Sequence, residues 1–131
     1  MRQRYFSVTL FAICLTLIVG FSGQQNSKNG KELYEEHCQS CHMKMGKGFL
    51  KMYPPLTDTT WVGRDEKIVG NILNGLKGEI IVNGKTYDKE MPPMAYLTNE
   101  EIAAIINYIR KEIVGVEANI SAKKVQQLRA G

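Results

Sequence analysis

The feature that most constrains this chain is the pentapeptide Cys38-Gln39-Ser40-Cys41-His42. Two thiols three positions apart on a helical turn can reach the two vinyl groups on one edge of a haem, and the histidine that follows then lies under the iron. Cys38 and Cys41 would form the thioether bonds, and His42 would be the proximal axial ligand. The motif therefore predicts one covalently attached haem of the c type.

The amino terminus has the pattern of a secretory signal peptide. Arg2 and Arg4 form a basic start, residues 6–19 are largely apolar, and small residues follow for a peptidase. The apolar run is short for a membrane span, which needs about 20 residues, although an uncleaved anchor is the alternative. We expect residues 1–22 to be the signal, which exports the protein to the periplasm or the outer face of the cytoplasmic membrane.

The remaining sequence has room for one small domain. Residues 23–28 have the composition of a polar linker, residues 29–115 form the predicted domain, and residues 116–131 form a tail with a short helix that Ser121 can cap. A domain of this size has a small hydrophobic core and is only marginally stable unless a cross-link or a cofactor stabilises it. A large apolar cofactor would supply much of the missing core.

Capping residues and periodicity predict a mainly α fold. Asn29 with Glu32, and Thr98 with Glu101, have the spacing of capping boxes, and Asp65 is suited to cap a helix between them. Apolar residues at helical spacing follow the second and third caps. These residues are Ile68, Val69, Ile72, Leu73 and Leu76, and then Ile102, Ile105, Ile106, Ile109 and Ile113.

The segments between the helices contain the main breaks in regular structure. Residues 43–60 are rich in glycine and proline and are expected to form a loop. Residues 80–87 contain β-branched runs on either side of Asn83-Gly84, which is a strong signal for a β-hairpin. Gly75 and Gly115 are suited to end helices.

Alternative roles for the cysteine pair have less support. A redox dithiol of thioredoxin type should follow a strand in a βαβ context, which the flanking sequence lacks. A zinc site needs four ligands, and Cys14 would leave with the signal, so only two cysteines and two histidines remain. A structural disulfide across so short a loop would contribute little to stability.

A haem iron used for electron transfer usually has a sixth ligand, and methionine sulfur is one option. Met91 precedes Pro92-Pro93 in an extended segment before the last long helix, where the prolines can hold a loop rigid. We favour Met91 as the distal ligand, and Met94 is the competitor. Both methionines could instead fill the core.

Taken together, these residues resemble class I cytochrome c, the small bacterial monohaem type with histidine and methionine ligands. The resemblance covers most of the chain after the linker. Gly30 and Tyr34 correspond to the small and aromatic residues of the family's first helix, and Ile105 and Tyr108 to the aliphatic–aromatic pair of its last helix. Two departures are Met43, where many relatives have glycine, and the hairpin, which the shortest members lack.

The resemblance implies a cytochrome c fold, with three to four helices around a covalent haem and a small β-hairpin insertion. It implies that the Pro54 carbonyl accepts the second N–H of the His42 imidazole. It also implies that Trp61 lies near the haem edge, where its N–H or Arg64 could contact a propionate. A solvated surface position for Arg64 and core filling for Trp61 are the simpler alternatives.

The expected function is one-electron transfer to and from transient protein partners such as an oxidase, a reductase or a dehydrogenase. The alternative is a haem-containing subunit of a larger respiratory or dehydrogenase complex. A small haem enzyme or a gas or redox sensor is less favoured, because His37 should point away from the iron and no other distal acid–base residue is evident. Nucleic acid is not expected as a partner, since the net charge is only +4 and the basic residues are scattered.

Overall fold

The structure, a computed structural model, describes residues 28–117 and 119–131. The predicted signal peptide, residues 1–22, and nearly all of the predicted linker lie outside the described residues. Within the described part, α-helices surround an apolar core and one two-stranded antiparallel hairpin completes the fold. None of the helices in these two ranges is long and apolar enough to cross a membrane. The predicted mainly α fold is confirmed.

The helices are α1 (Gly30–His37), α2 (Gln39–His42), α3 (Thr59–Val62), α4 (Asp65–Asn74), α5 (Asn99–Tyr108) and α6 (Ala122–Ala130). A 3-10 turn covers Lys44–Gly46, and a π-helical turn, Ile109–Val114, extends α5. The strands are β1 (Ile80–Val82) and β2 (Lys85–Tyr87). The segment 43–60, for which the sequence predicts a loop, therefore includes a 3-10 turn and the start of α3.

Both predicted capping boxes are present. The Asn29 side chain accepts hydrogen bonds from the backbone N–H groups of Lys31 and Glu32, and the Glu32 carboxylate accepts one from the Asn29 N–H. Thr98 and Glu101 make the same reciprocal pair, with the Thr98 N–H donating to the Glu101 carboxylate at 2.8 Å. These contacts satisfy N–H groups that the first helical turn leaves without partners.

The predicted cap at the start of α4 is wrong by one residue. Arg64 is the N-cap and makes no side-chain capping bond, whereas Asp65 is the first helical residue. The Asp65 carboxylate lies 2.8 Å from the guanidinium of the buried Arg110, whose Nε also donates to the Val62 carbonyl at 2.9 Å. A long-range ion pair has therefore replaced the local cap that the sequence suggested.

Helices α1 and α5 cross in direct backbone contact at Gly30. A Cβ atom added there would lie 2.2 Å from the Ala104 carbonyl oxygen and 3.0 Å from the Tyr108 Cβ. One turn further along α1, the Tyr34 ring lies 5.4 Å from the Tyr108 ring, centroid to centroid. The residues that the resemblance matched on the first and last helices thus meet at this crossing, and only glycine fits at position 30.

The segment 116–131, set apart as a tail on sequence grounds, packs on the rest of the fold. Its predicted helix is α6, and the Ser121 side chain caps it by accepting from the Lys124 N–H. Val125 is fully buried and Ile120 is 4% exposed, and both belong to the same core as α4 and α5. The Asn107 side chain also exchanges two hydrogen bonds with the Ile120 backbone.

The hairpin forms at the predicted Asn83-Gly84, where both residues have positive φ, as a type I′ turn requires. Hydrogen bonds from its turn and from β1 tie it to α3 and to the residues just before that helix, among them one from the Asn83 side chain to Thr57 Oγ1 at 3.5 Å. The Asp58 carboxylate accepts from the Asn83 N–H at 3.1 Å, and Trp61 Nε1 donates to the Ile81 carbonyl at 3.0 Å. The hairpin is therefore docked onto α3 and does not project freely.

Candidate haem-binding site

The two thiols of the motif lie at the junction of α1 and α2, where Cys38 ends the first helix and begins the second. They are not joined in a disulfide. Burial, with a smaller contribution from Cys41, raises the pKa of the Cys38 thiol to about 12. The Cys38 thiol is therefore neutral near pH 7, whereas catalytic dithiols depend on a lowered thiol pKa. The redox-dithiol alternative has no support in this environment.

His42 is the buried last residue of α2, with 9% of its surface exposed. Its Nδ1 lies 2.9 Å from the Pro54 carbonyl oxygen, which can only accept, so Nδ1 is the protonated nitrogen. Burial lowers the pKa of His42, and the bond to Pro54 opposes that shift. The result is a neutral imidazole whose lone pair is on Nε2, which is the form that binds a metal ion.

A glycine holds the segment that carries Pro54. Gly48 has a φ of +68°, and an added Cβ would lie 2.4 Å from the Tyr53 carbonyl oxygen and 2.7 Å from the Pro55 nitrogen. Phe49 pairs with Tyr53 in an isolated β-bridge, and the Gly48 N–H donates to the His42 carbonyl at 2.9 Å. The acceptor for Nδ1 is thus fixed relative to the backbone of His42 itself.

The segment that carries Met91 is held by a β-bridge and a close glycine contact in the same way. Met91 and Leu76 exchange two backbone hydrogen bonds, each of 3.0 Å. Gly75 has a φ of +70°, and a Cβ there would lie 2.3 Å from the Met91 carbonyl oxygen and 2.9 Å from the Pro93 nitrogen. Three residues further on, the Met94 N–H donates to the Ile72 carbonyl at 2.8 Å. Residues 91–97, which we term the methionine segment, are therefore held against the end of α4.

One cavity brings most of the predicted residues together. Both thiols, His42, Met91, Met94, Pro54 and Trp61 line it. Apolar side chains from α3, α4, β1, the methionine segment, α5 and the π-helical turn also line it, among them Val62, Ile68, Ile72, Val82, Leu97, Ile105 and Ile109. An apolar cavity with two thiols and a neutral imidazole at one edge, and thioether sulfurs also in its wall, fits a covalently attached haem.

The structure also gives the surroundings of three other residues that the sequence singled out. Arg64 is exposed and does not line the cavity. The Trp61 N–H, a candidate propionate donor, is used by the hairpin, while Lys67 Nζ lies 3.5 Å from the centre of its ring. His37, expected to point away, contributes to the cavity wall with its ring edge-on to Tyr96.

Across residues 28–117 and 119–131, no group of three or more His, Cys, Asp or Glu side chains lies close enough to hold a metal ion alone. The zinc alternative therefore lacks a ligand set in this part of the chain. A cofactor that brings its own metal and four of the metal's ligands needs only two axial side chains from the protein.

Comparison with known proteins agrees with this geometry. The family model described as Cytochrome c matches residues 27–112. The chain belongs to the cytochrome c family. It is a class I monohaem c-type cytochrome, and it transfers electrons with a covalently bound c-type haem. The matched range begins before α1 and ends within the π-helical turn, so it leaves out α6.

Relatives of this cytochrome fall into two kinds. Cytochrome c-552 of Thermus thermophilus is 33% identical over 113 residues, which cover 78% of this chain and 85% of that protein. The fructose dehydrogenase cytochrome subunit of Gluconobacter japonicus is 34% identical over 79% of this chain but only 22% of its own length. The cytochrome c subunit of the quinone-type alcohol dehydrogenase of Gluconobacter oxydans is 30% identical over 87% of this chain and 24% of its own.

Sequence reasoning missed the residues that hold the segments of Pro54 and Met91 in place. Gly48 and Gly75 stand out in the sequence only as breaks in regular structure, although each contacts the backbone of a Pro-Pro pair. Their signal in the sequence is weak, because a glycine that permits a close approach looks the same as a glycine in an ordinary turn.

Proposed function

We propose that Cys38 and Cys41 attach the haem through thioether bonds, and that His42 and Met91 are its proximal and distal axial ligands. The protein would be an exported one-electron carrier. The observation that supports this best is that these four side chains line one apolar cavity, while His42 Nδ1 donates a hydrogen bond to the Pro54 carbonyl. When bound, the haem supplies an iron centre that alternates between the ferrous and ferric states.

The residues around the site would keep the coordination constant during electron transfer. The Pro54 carbonyl fixes the plane of the His42 imidazole and raises its basicity as a ligand. The paired backbone bonds between Met91 and Leu76 hold the opposite side. The apolar wall excludes water, which helps to set the reduction potential. A site that changes little in shape has a small reorganisation energy.

The choice of Met91 over Met94 is supported by the surroundings of the two side chains. Met94 is 9% exposed and belongs to the hydrophobic core cluster, which is the usual role of a buried methionine. Met91 is only partly buried, packs against that cluster from its edge, and lines the cavity. Its rigid backbone keeps a weak thioether ligand in place.

The decisive experiment uses the exported holoprotein and three variants. Wild type should remain haem-stained after denaturing electrophoresis, and the Cys38→Ala/Cys41→Ala double variant should lose the stain. Ferric wild type should show the weak red band of thioether-to-iron ligation. Met91→Ala should abolish that band, and Met94→Ala should keep it. The opposite result for the two methionines would assign the ligand to Met94, and no band in wild type would overturn methionine ligation.

The proposal includes no substrate chemistry, since six-coordinate iron leaves no open position for peroxide, nitric oxide or nitrite. Transient docking to oxidase, reductase or dehydrogenase partners is supported by a basic loop after α2. Between Glu36 and Asp58 the chain has no acidic residue, whereas Lys44, Lys47 and Lys51 are all present there. Exposed apolar side chains occur in the same loop: Phe49, Leu50 and Met52. An acidic partner would be attracted to this surface, and the electron-transfer rate should fall with added salt.

A second candidate is a haem-carrying module of a larger dehydrogenase or respiratory complex. The two dehydrogenase cytochrome subunits among the relatives favour it. Purification from the native membrane and soluble fractions separates the two candidates. A carrier should be recovered alone in the soluble fraction, whereas a module should elute with a larger redox enzyme. Membrane contact through residues 1–22 would resist a salt wash and would be lost after proteolysis near residue 28.

A further inference from the structure

Helix α6 lies outside the residues that the family model matches. Near its carboxyl end, the Arg129 side chain contacts the last residues of the methionine segment. Arg129 Nη1 donates to the Ala95 carbonyl at 2.9 Å and Nη2 to the Leu97 carbonyl at 2.6 Å. Its Nε donates to the Asn99 side-chain oxygen at 2.8 Å. The planar guanidinium therefore spans the stretch between the axial methionine and the first turn of α5.

Helix α6, which carries Arg129, is itself held in place by packing and hydrogen bonds. Its own Val125 is fully buried, and Ile120, just before its cap, exchanges two hydrogen bonds with the Asn107 side chain on α5. Arg129 is thus attached to a helix that packs on both α4 and α5. All three of its acceptors are uncharged, so each contact is a charge-assisted bond to a neutral oxygen, stronger than an ordinary amide bond.

Hydrogen bonds from outside the methionine segment consequently hold its backbone at three places. Its start is paired with Leu76, its middle is bound to the Ile72 carbonyl through the Met94 N–H, and its end is held by Arg129. The first two contacts come from the end of α4, and only the third comes from outside the family match. Between Met94 and Thr98 the chain is irregular, and the buried Leu97 side chain packs in the core. The carbonyl groups of Ala95 and Leu97 have no partner in a helix or strand, and Arg129 supplies their hydrogen bonds.

We infer that Arg129 is a positioning residue for the distal ligand: through the Ala95 and Leu97 carbonyls it keeps the methionine segment closed over the haem. This inference rests on the proposed methionine ligation. A methionine thioether is a weak ligand, and it can be displaced whenever its segment opens. Each opening would have to break the bonds to Arg129, so the arginine should lower the population of the open state.

The test is the binding of imidazole to the ferric holoprotein, because imidazole can reach the iron only when the methionine has left. Arg129→Ala should raise the apparent affinity for imidazole at least about tenfold, the size expected for losing one hydrogen bond to a charged group. Arg129→Lys should be intermediate, since one ammonium nitrogen cannot serve all three acceptors. Lys124→Ala is the matched control, because it removes one positive charge from the same helix and breaks only an exposed ion pair with Glu66.

Imidazole affinity under native conditions separates positioning from general stabilisation. If Arg129→Ala merely lowers the urea midpoint followed by far-UV circular dichroism, while its imidazole affinity stays within twofold of the control, the inference is overturned. If Arg129→Ala does not fold, the same comparison is made with Arg129→Lys. A wild type without the red thioether band would overturn the ligation itself, which is a different failure from unchanged imidazole binding in a protein that shows the band.

Discussion

Replacing Gly30 by alanine tests whether the crossing of α1 and α5 holds the fold together. The added Cβ would lie 2.2 Å from the Ala104 carbonyl oxygen, about 1.2 Å short of the 3.4 Å where ordinary contact begins. The obstacle is backbone, so no rotamer change relieves it and the two helices must separate. Overpacking of this kind costs about 1–3 kcal/mol. Alanine is the better helix former, but only by ~1 kcal/mol in a helix interior, and Gly30 is the first helical residue.

The expected net loss is therefore about 2 kcal/mol of unfolding free energy. For a domain of this size, that corresponds to a fall of roughly 10 °C in melting temperature. The measurement is thermal unfolding of the ferric holoprotein, followed by far-UV circular dichroism and by haem absorbance. Because α1 leads directly into the cysteine motif, we expect the two signals to fall together.

Gly70→Ala is the matched control. Gly70 lies within α4, and an added Cβ there would have no heavy atom within 4 Å. Alanine should therefore stabilise the protein, by about 0.5–1 kcal/mol. The two substitutions are chemically identical and should have opposite signs. If Gly30→Ala is neutral or stabilising, or if both variants shift equally, the close crossing does not determine stability and the reasoning is refuted.

Two further predictions concern the site and the hairpin. Gly75→Ala should push the methionine segment away from α4 and lower the reduction potential of the haem. The control is Gly78→Ala, because Gly78 has a similarly positive φ but open space around it; this change should cost only about 1 kcal/mol of stability and leave the potential unchanged. Voltammetry of the two variants measures both potentials. The Thr60 hydroxyl and then the Asn83 N–H hold the pKa of Asp58 below its ordinary 3.8, so the carboxylate stabilises hairpin docking above that pH. Docking should weaken as the pH falls through the lowered pKa, the Asn83 amide resonance should report this, and Asp58→Asn should remove the dependence.

Local signals predicted much of the fold. The two capping boxes, the Asn83-Gly84 turn and the Ser121 cap each depend on residues within a few positions of one another, and all four form. Their energetics are decided by neighbouring backbone groups, so the rest of the chain has little influence on them. The first residues of α1, α5 and α6 and the bounds of β1 and β2 follow directly from these signals.

The features that sequence reasoning missed depend on residues far apart in the chain. Asp65 is a residue type that commonly caps helices, but its carboxylate forms an ion pair with Arg110, which lies 45 positions away in the sequence. Arg129 contacts residues 30 or more positions earlier, and nothing near it in the sequence identifies them. The resemblance suggested a haem propionate as the acceptor for the Trp61 N–H, but the Ile81 carbonyl of the hairpin accepts it. Residues near Trp61 in the sequence do not show where the hairpin docks.

The segments that carry Pro54 and Met91 are held in the same way, which explains why each contains a proline pair. In each case a glycine with positive φ contacts the backbone at a Pro-Pro pair, and the residue after that glycine forms an isolated β-bridge: Gly48 with Phe49 and Tyr53, and Gly75 with Leu76 and Met91. Proline fixes φ and lacks an N–H, so each segment is stiff without needing a partner for every residue. Glycine removes the side chain that would keep such a segment at a distance. An imidazole acceptor and a thioether can thus be held rigidly by short irregular segments in a domain too small to build them on long helices.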